Sequence, residues 1–440
     1  MCLGAFMGQL DTSIVTLTYP RLQSEFATGL GSVAWVSLSY LVVLAVLLVP
    51  VGRWADTRGR KLLYLYGFGL FSLASAACAL APTLGWLVVG RGLQAVGAAL
   101  LQANSVALVV LSVPASRVRT ALGLQGAAQA LGLALGPTLG GLLVDAYGWR
   151  SVFWVNVPVG VVAILAGYVL LPRSRDLNPG RGRDMAGFVL LAGTIVSSLL
   201  VLSGLSGMPL PSAVVVGLCV AAVVAAMLFW RAETNAVAPL VDINLLRRGG
   251  LGASLTGALL AYLLLFAPLV LYPSVFDTWG MSVAAGGLVL SCLPAGFALA
   301  AVGASAAHLR ASNRQRVAVG SVGVLACLVA NIALWRSPGL VAALLLLMGA
   351  FLGLVIPANN ATVMAAVPAR ASAVTGGMVN VARALGTALG VAVAAMGLHV
   401  AELHNWVGQQ VVLSALGVCS IALAATTLSR PPTQGRTMAR

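Results

Sequence analysis

Residues 130–136 read ALGLALG, and residues 384–390 read ALGTALG. The two stretches lie 254 positions apart. At the same spacing VPA at 113–115 meets VPA at 367–369, Gly123 meets Gly377 and Ala128 meets Ala382. One gapless spacing that holds across a loop and the apolar segment after it marks an internal repeat more strongly than seven matched letters alone.

What repeats is apolar. The chain is 60% hydrophobic and 8% charged, where a soluble domain is about a quarter charged, and its mean hydropathy is +1.01. Runs of about 20 apolar residues recur from end to end, long enough as helices to cross ~30 Å of hydrocarbon. The breaks predict spans near 1–20, 33–52, 62–81, 85–111, 119–145, 152–171, 185–204, 210–230, 250–273, 283–307, 316–335, 339–364, 373–398 and 409–428. The first has no basic leader and no small-residue cleavage site, so it reads as a span and not as a signal peptide. The repeat then equates span 5 with span 13, a shift of eight spans, which is six plus two. The expected fold is an all-α membrane protein of fourteen transmembrane helices. Residues 1–171 form one six-helix bundle, 172–249 a linker with two inserted helices, 250–428 a second six-helix bundle and 429–440 a short cytoplasmic tail. Parallel halves of this kind hold a substrate at their interface near the bilayer midplane.

The net charge of +15 is a topology device. Twenty of the 25 Lys and Arg fall in one set of loops and the tail, three (Arg21, Arg150, Arg336) in the other set, and Arg91 and Arg383 inside spans. This positive-inside bias predicts both termini in the cytoplasm. No stretch alternates aromatic and basic residues as a nucleic-acid surface does. The six cysteines (Cys2, Cys78, Cys219, Cys292, Cys327, Cys419) form no C-x-x-C and read as small apolar groups. His308, His399 and His404 lie at or near helix ends, and Lys61, the single lysine, sits in no phosphate-binding loop. Nothing here suggests an enzyme, a metal or a cofactor.

The halves differ where they are polar. At the 254 spacing Asp11 falls on Leu265, Arg91 on Leu345 and Asp56 on Arg310. Asp11 lies about nine residues, ~14 Å, inside span 1, the one acid at such depth. An ionised carboxylate there costs at least ~3 kcal/mol. Burial favours the protonated acid and a nearby arginine favours the anion, so Asp11 is placed to exchange a proton. The plainer reading satisfies it with Thr12, Thr16 and water. Arg91 belongs to a helical stripe with Gln94, Ala98, Gln102 and Ser105. It either snorkels to the outer headgroups or faces inward with its stripe. Span 13 carries a similar stripe: Gly376, Asn380, Arg383, Thr387, Gly390. Gln94, Gln102, Asn156, Tyr262, Phe266, Asn359, Asn360 and Arg383 are the expected lining of a substrate path, suited to a bulky neutral or weakly polar molecule.

Two further stretches carry mechanics. In 52–61 five of ten residues are charged: Arg53, Asp56, Arg58, Arg60 and Lys61. The loop is either a solvated, topology-setting turn or a latch in which Asp56 pairs with its basic neighbours in one conformation only, with Gly52 and Gly59 allowing close approach and a tight turn. In span 5, Gly132, Gly136 and Gly140 make a smooth face for another helix, followed by Gly141, and Pro137 bends the helix.

These stretches resemble one family. GRWADTRGRKLLY (52–64) is similar to the G-x-L-a-D-r-x-G-r-k loop of the major facilitator superfamily. LDTSIVTLTYP (10–20) resembles the first-span motif of its drug/proton antiporter branches, departing at Ser13, Thr16 and Thr18. GRGLQAVGAA (90–99) resembles the fourth-span R-x-x-Q-G motif, with Ala95 for glycine. GLALGPTLGG (132–141) matches the antiporter signature, and WRSVFWVNVPVG (149–160) and PLVDINLLRR (239–248) resemble the segments that bracket the extra spans of the fourteen-span branch. The resemblance implies proton-coupled efflux of a hydrophobic small molecule (a drug, antibiotic or secondary metabolite) across the bacterial plasma membrane by alternating access. A proton symporter or uniporter for a small nutrient is the alternative. It implies proton coupling at Asp11 and Arg91 and a conformational latch at Gly52, Asp56, Arg58, Gly59, Arg60 and Lys61. It also implies the antiporter motif of exporters, a sliding seal, at Gly132, Gly136, Pro137, Gly140 and Gly141. The implied partners are the substrate, protons and the lipid bilayer, with the chain a monomer, no nucleic acid, and the proton gradient in place of a cofactor.

Overall fold

The computed structural model describes residues 1–171, 185–236, 250–306, 311–334, 337–367 and 372–428; the side chains of Val49, Arg53, Asp56, Thr57, Ala115, Arg119, 304–306 and 372–374 are excluded. Residues 172–184, 237–249 (with all of PLVDINLLRR) and the tail 429–440 lie outside the described residues. All regular structure among the described residues is helical.

The helices are α1 (Cys2–Ile14), α2 (Tyr19–Phe26), α3 (Trp35–Arg58), α4 (Arg60–Ala79), α5 (Leu84–Ser112), α6 (Val118–Tyr147) and α7 (Asn156–Leu170), then α8 (Met185–Leu205) and α9 (Ser212–Asn235). They continue with α10 (Leu251–Thr278), α11 (Val283–Ala306), α12 (Asn313–Leu334), α13 (Pro338–Ala365), α14 (Ser372–Leu403) and α15 (Gly408–Leu428). Among the described residues thirteen helical stretches are long and apolar enough to cross a membrane. The expected first span is not one of them, because it is not a single helix. Thr16 and Thr18 hydroxyls donate to the carbonyls of Ser13 and Val15, at 2.9 and 2.6 Å, and tighten the chain into a 3₁₀ turn over Val15–Thr18. Pro20 then opens α2, where its missing N–H costs nothing.

The repeat is visible in helix boundaries and in packing. Moved along by 254 residues, α5 covers 338–366 and α6 covers 372–401, which are the ranges of α13 and α14 to within two residues. In the first repeat α6 packs on α1, and a Cβ added to Gly132 would meet the carbonyl oxygen of Phe6. In the second α14 packs on α10, and a Cβ added to Gly386 would meet the carbonyl oxygen of Leu259. Helices α6 and α11 pack against each other between the repeats, as do α3 and α14. The inserted α8 leans on α14 and α3, whereas α9 packs on α8 and exposes Val216, Val220, Val223 and Met227.

The turn between α3 and α4 is built on Gly59, whose φ of +97° suits glycine. Gly52 does not serve the close approach expected of it: a Cβ there would meet nothing within 4 Å.

Candidate functional site

Five helices converge on Asp11. Its carboxylate is 0% exposed. Arg91, from α5, donates through Nη1 to Oδ2 at 2.7 Å. Gln94, one turn further along α5, donates through Nε2 to Oδ1 at 2.9 Å, and Asn156, at the start of α7, donates through Nδ2 to the same oxygen at 2.9 Å. The partners are held in turn. Arg91 Nε donates to the Val36 carbonyl at 2.9 Å, and its guanidinium lies 4.3 Å from the centre of the Tyr40 ring, both on α3. Gln94 also donates to Ser75 Oγ of α4 at 2.7 Å, and its Oε1 accepts from Arg91. A buried charge is tolerated when paired and hydrogen-bonded, and each oxygen of this carboxylate has a charged or amide donor.

The plainer reading of Asp11 fails on its partners. Thr12 donates to the Gly8 carbonyl and Thr16 to the Ser13 carbonyl, each within its own chain segment. Arg91, 1% exposed, does not snorkel.

The glycine face of α6 rests on the helix that carries Asp11. Added Cβ atoms would meet Phe6 from Gly132, Ser13 from Gly136 and Ile14 from Gly140. The other side of the same segment meets the second repeat. A Cβ on Gly141 would stand 2.6 Å from the Val283 carbonyl, and one on Gly287 of α11 would meet the carbonyl of Pro137. Thr138 and Ser291 hydroxyls are 2.6 Å apart. Asp145, near the end of α6, accepts from the Ala284 and Val283 amides at 2.8 and 3.3 Å, capping the α11 N-terminus from across the interface. The repeats are therefore in close contact at the end of the molecule away from Met1.

At the Met1 end they enclose a cavity of about 500 Å³. Its wall takes Gly4, Ala5 and Gln9 from α1, Gln102 and Ser105 from α5, and Gln125 and Gln129 from α6. From the second repeat come Tyr262 of α10, Asn360 of α13, and Asn380 and Arg383 of α14. Arg383 donates to Gln102 Oε1 and, at 3.4 Å, to Gln129 Oε1. Gln129 is the residue 254 positions before Arg383, so a residue and its repeat counterpart touch. That places the cavity on the axis relating the repeats.

Gln102, Tyr262, Asn360 and Arg383 thus share one wall. Gln94, Asn156, Phe266 and Asn359, expected there too, lie elsewhere. Gln94 and Asn156 are bound to Asp11, Phe266 is in the apolar core, and Asn359 donates to the Ser254 carbonyl at 2.8 Å. Six amide side chains and one guanidinium line the cavity beside its apolar wall. Of the expected latch, Asp56 lies outside the described side chains. Lys61 donates to the carbonyls of Tyr168 and Leu171, at 2.8 and 2.6 Å, closing the end of α7. Arg58 lies 5.8 Å from the Trp54 ring centre, and Arg60 begins α4.

Comparison with known proteins agrees with this architecture. The chain is 32% identical over 399 residues to multidrug resistance protein Stp of Mycobacterium tuberculosis (strain ATCC 25618 / H37Rv), covering 89% of this chain and 73% of that protein. It is 29% identical over 405 residues to the tetracenomycin C resistance and export protein of Streptomyces glaucescens, covering 89% and 74%. Such relatives are matched over 65–74% of their own length. The crystal structure of the human organic anion transporter MFSD10 (TETRAN) shares the fold, with a TM-score of 0.65 at 16% identity over 97% of each chain. The family model for the Major Facilitator Superfamily matches residues 1–391, and the chain belongs to that superfamily.

Proposed function

We propose that the chain is a proton-driven exporter of small molecules that works by alternating access between two six-helix repeats, with α8 and α9 inserted between them and α1, its turn and α2 together making a fourteenth crossing. The observation that carries this reading is the fully enclosed Asp11 carboxylate, tied to Arg91 and resting against the α6 face that also meets the second repeat. Intramembrane ionisable residues mark ion and proton pathways. The superfamily is one of transporters and not of enzymes. Relatives that bear resistance and export names support efflux of a drug, antibiotic or secondary metabolite. The basic loops support a cytoplasmic Met1 end, which puts the cavity nearer the side from which a substrate is collected. The chain works as a monomer without a cofactor; substrate, protons and bilayer are its partners.

Both carboxylate oxygens of Asp11 accept hydrogen bonds, from Arg91, Gln94 and Asn156. A proton arriving on the carboxylate removes its attraction for Arg91, yet Arg91 keeps the Val36 carbonyl, the Tyr40 face and Gln94 Oε1. Protonation therefore loosens α1 from α5 while α5 stays ordered. Movement of α1 reaches α6 through Gly132, Gly136 and Gly140, where there is no side chain to absorb it, and α6 passes it to α11 at Gly141 and Pro137. A proton crossing 100 mV supplies ~2.3 kcal/mol, and a pH difference adds to that.

The test is transport in proteoliposomes under an imposed pH gradient. Protons and a labelled drug should move in opposite directions, and collapse of the gradient should stop the drug. Movement in the same direction as the proton would favour the symporter, and indifference to the gradient would overturn proton drive.

A further inference from the structure

Each repeat holds one arginine deep in a helix, and the two are treated differently. Arg91 has a carboxylate; Arg383 has two neutral amide oxygens, from Gln102 and Gln129, and the Tyr262 hydroxyl beside it, and among the described residues no carboxylate pairs with it. A guanidinium within a membrane span is costly unless it is paired or faces a water-filled cavity. Arg383 faces the cavity between the repeats, and its five N–H donors exceed what the two amides accept. Among the described residues it is the one guanidinium in the wall, and none of the wall residues so described is an acid. Two acceptors add to the pattern. Gln125 donates to Ser105 Oγ, leaving its Oε1 buried without a partner, and Asn360 Oδ1 is likewise buried and unpaired. Buried polar groups left unsatisfied mark places where a partner belongs.

We propose that the transported molecule is an amphipathic anion, whose carboxylate or phenolate oxygen is the missing counter-ion of Arg383 and whose hydroxyl or amide donors meet Gln125 and Asn360. This rests on the reading of the chain as an exporter, and it names the class of substrate. It replaces the neutral molecule that the sequence suggests. A guanidinium offers two parallel N–H donors that match a carboxylate, and an acid-free wall leaves a cation with only amide oxygens. The apolar remainder, from Ala5, Leu101, Val106 and Leu122, accommodates a ring system.

Binding to the purified protein tests the class independently of transport. The probes are anthracene-9-carboxylate, its methyl ester and 9-(aminomethyl)anthracene, which share one ring system and differ in charge. Wild-type protein is expected to bind the carboxylate about tenfold or more tighter than the ester and the amine, the effect of one charge-assisted hydrogen-bonded contact. Arg383→Gln should bring the carboxylate to the level of the ester, and Arg383→Lys should keep part of the preference because charge remains while the fork is lost. Equal binding of all three by the wild type, or an unchanged ratio in a folded Arg383→Gln variant, would overturn the proposal. The two readings separate cleanly. A carboxylate preference without gradient-driven transport removes the exporter and keeps the anion site, and gradient-driven transport that favours ester or amine does the reverse.

Discussion

In the first repeat Asp11, Arg91 and Gln94 are bound to one another at the centre of a helical bundle; 254 positions on, Leu265, Leu345 and Met348 are buried in apolar core. The helices that carry them are matched in range, and the glycine faces that bring α6 onto α1 and α14 onto α10 are matched in position. One scaffold thus tolerates either an ion pair or leucines at corresponding places. Replacing a buried ion pair by apolar residues is often neutral or stabilising by ~1–4 kcal/mol, so packing alone does not require the charges of the first repeat. On the proposed reading, proton chemistry belongs to one repeat and the other is the surface it moves against, with Arg383 contributing from the second side to the shared cavity.

Making the first repeat resemble the second breaks the comparison most severely when it is done by halves. Arg91→Ala strands the Asp11 carboxylate without its cation and should cost about 3–5 kcal/mol of stability together with gradient-driven export. The double change Asp11→Leu with Arg91→Leu should restore thermal stability to near the wild-type level, because it copies Leu265 and Leu345, while export stays insensitive to pH. Thermal unfolding in detergent and transport in proteoliposomes read the two effects separately. A double variant as unstable as Arg91→Ala would mean that the ion pair is structural.

A second asymmetry concerns the segment from Gly52 to Lys61, which ends α3 and begins α4 around Gly59 and whose Asp56 corresponds to Arg310 in the other repeat. Asp56→Asn should lower export by about 5–150-fold, the effect of a conformational coupling of about 1–3 kcal/mol, with membrane insertion unchanged because the basic residues remain. Undiminished export would leave the loop as a topology signal.

The glycine faces provide the finest comparison, since the steric insult is matched. In Gly132→Ala and Gly386→Ala the new methyl meets a backbone carbonyl oxygen, of Phe6 and of Leu259. Both should cost about 1–3 kcal/mol by overpacking. Only Gly132→Ala displaces the helix that carries Asp11, so only it should shift the pH dependence of export. Equal shifts from both would place the coupling outside the first repeat.

The all-helical membrane fold and most of its spans were legible because length and apolarity are properties of the chain itself, although among the described residues thirteen stretches, not fourteen, are long and apolar enough to cross a membrane and α3 runs six residues past the expected end at 52. The α5 and α13 ranges agree with their predicted spans to within one residue at each end. The break after Ile14 was not legible, since it depends on threonine hydroxyls turning back on their own backbone. Asp11 and Arg91 stood out as charges in apolar surroundings. Gln94 and Asn156 were read as path residues because a polar stripe shows that residues share a side of a helix, not whether that side faces a hollow or a packed neighbour. The same ambiguity hid the partner of the Gly132–Gly140 face, and the capping of α11 by Asp145 depends on a contact between residues 139 positions apart.

The central claim is that Asp11 surrenders a proton as substrate binds. Purified protein in weakly buffered detergent solution, with a pH indicator and a saturating addition of a transported substrate, measures this directly. Proton and substrate binding are reciprocally linked, so wild-type protein should release about one proton per bound substrate, and Asp11→Asn should bind substrate with no release. Equal release from the two proteins would contradict the account and separate the buried carboxylate from the transport cycle.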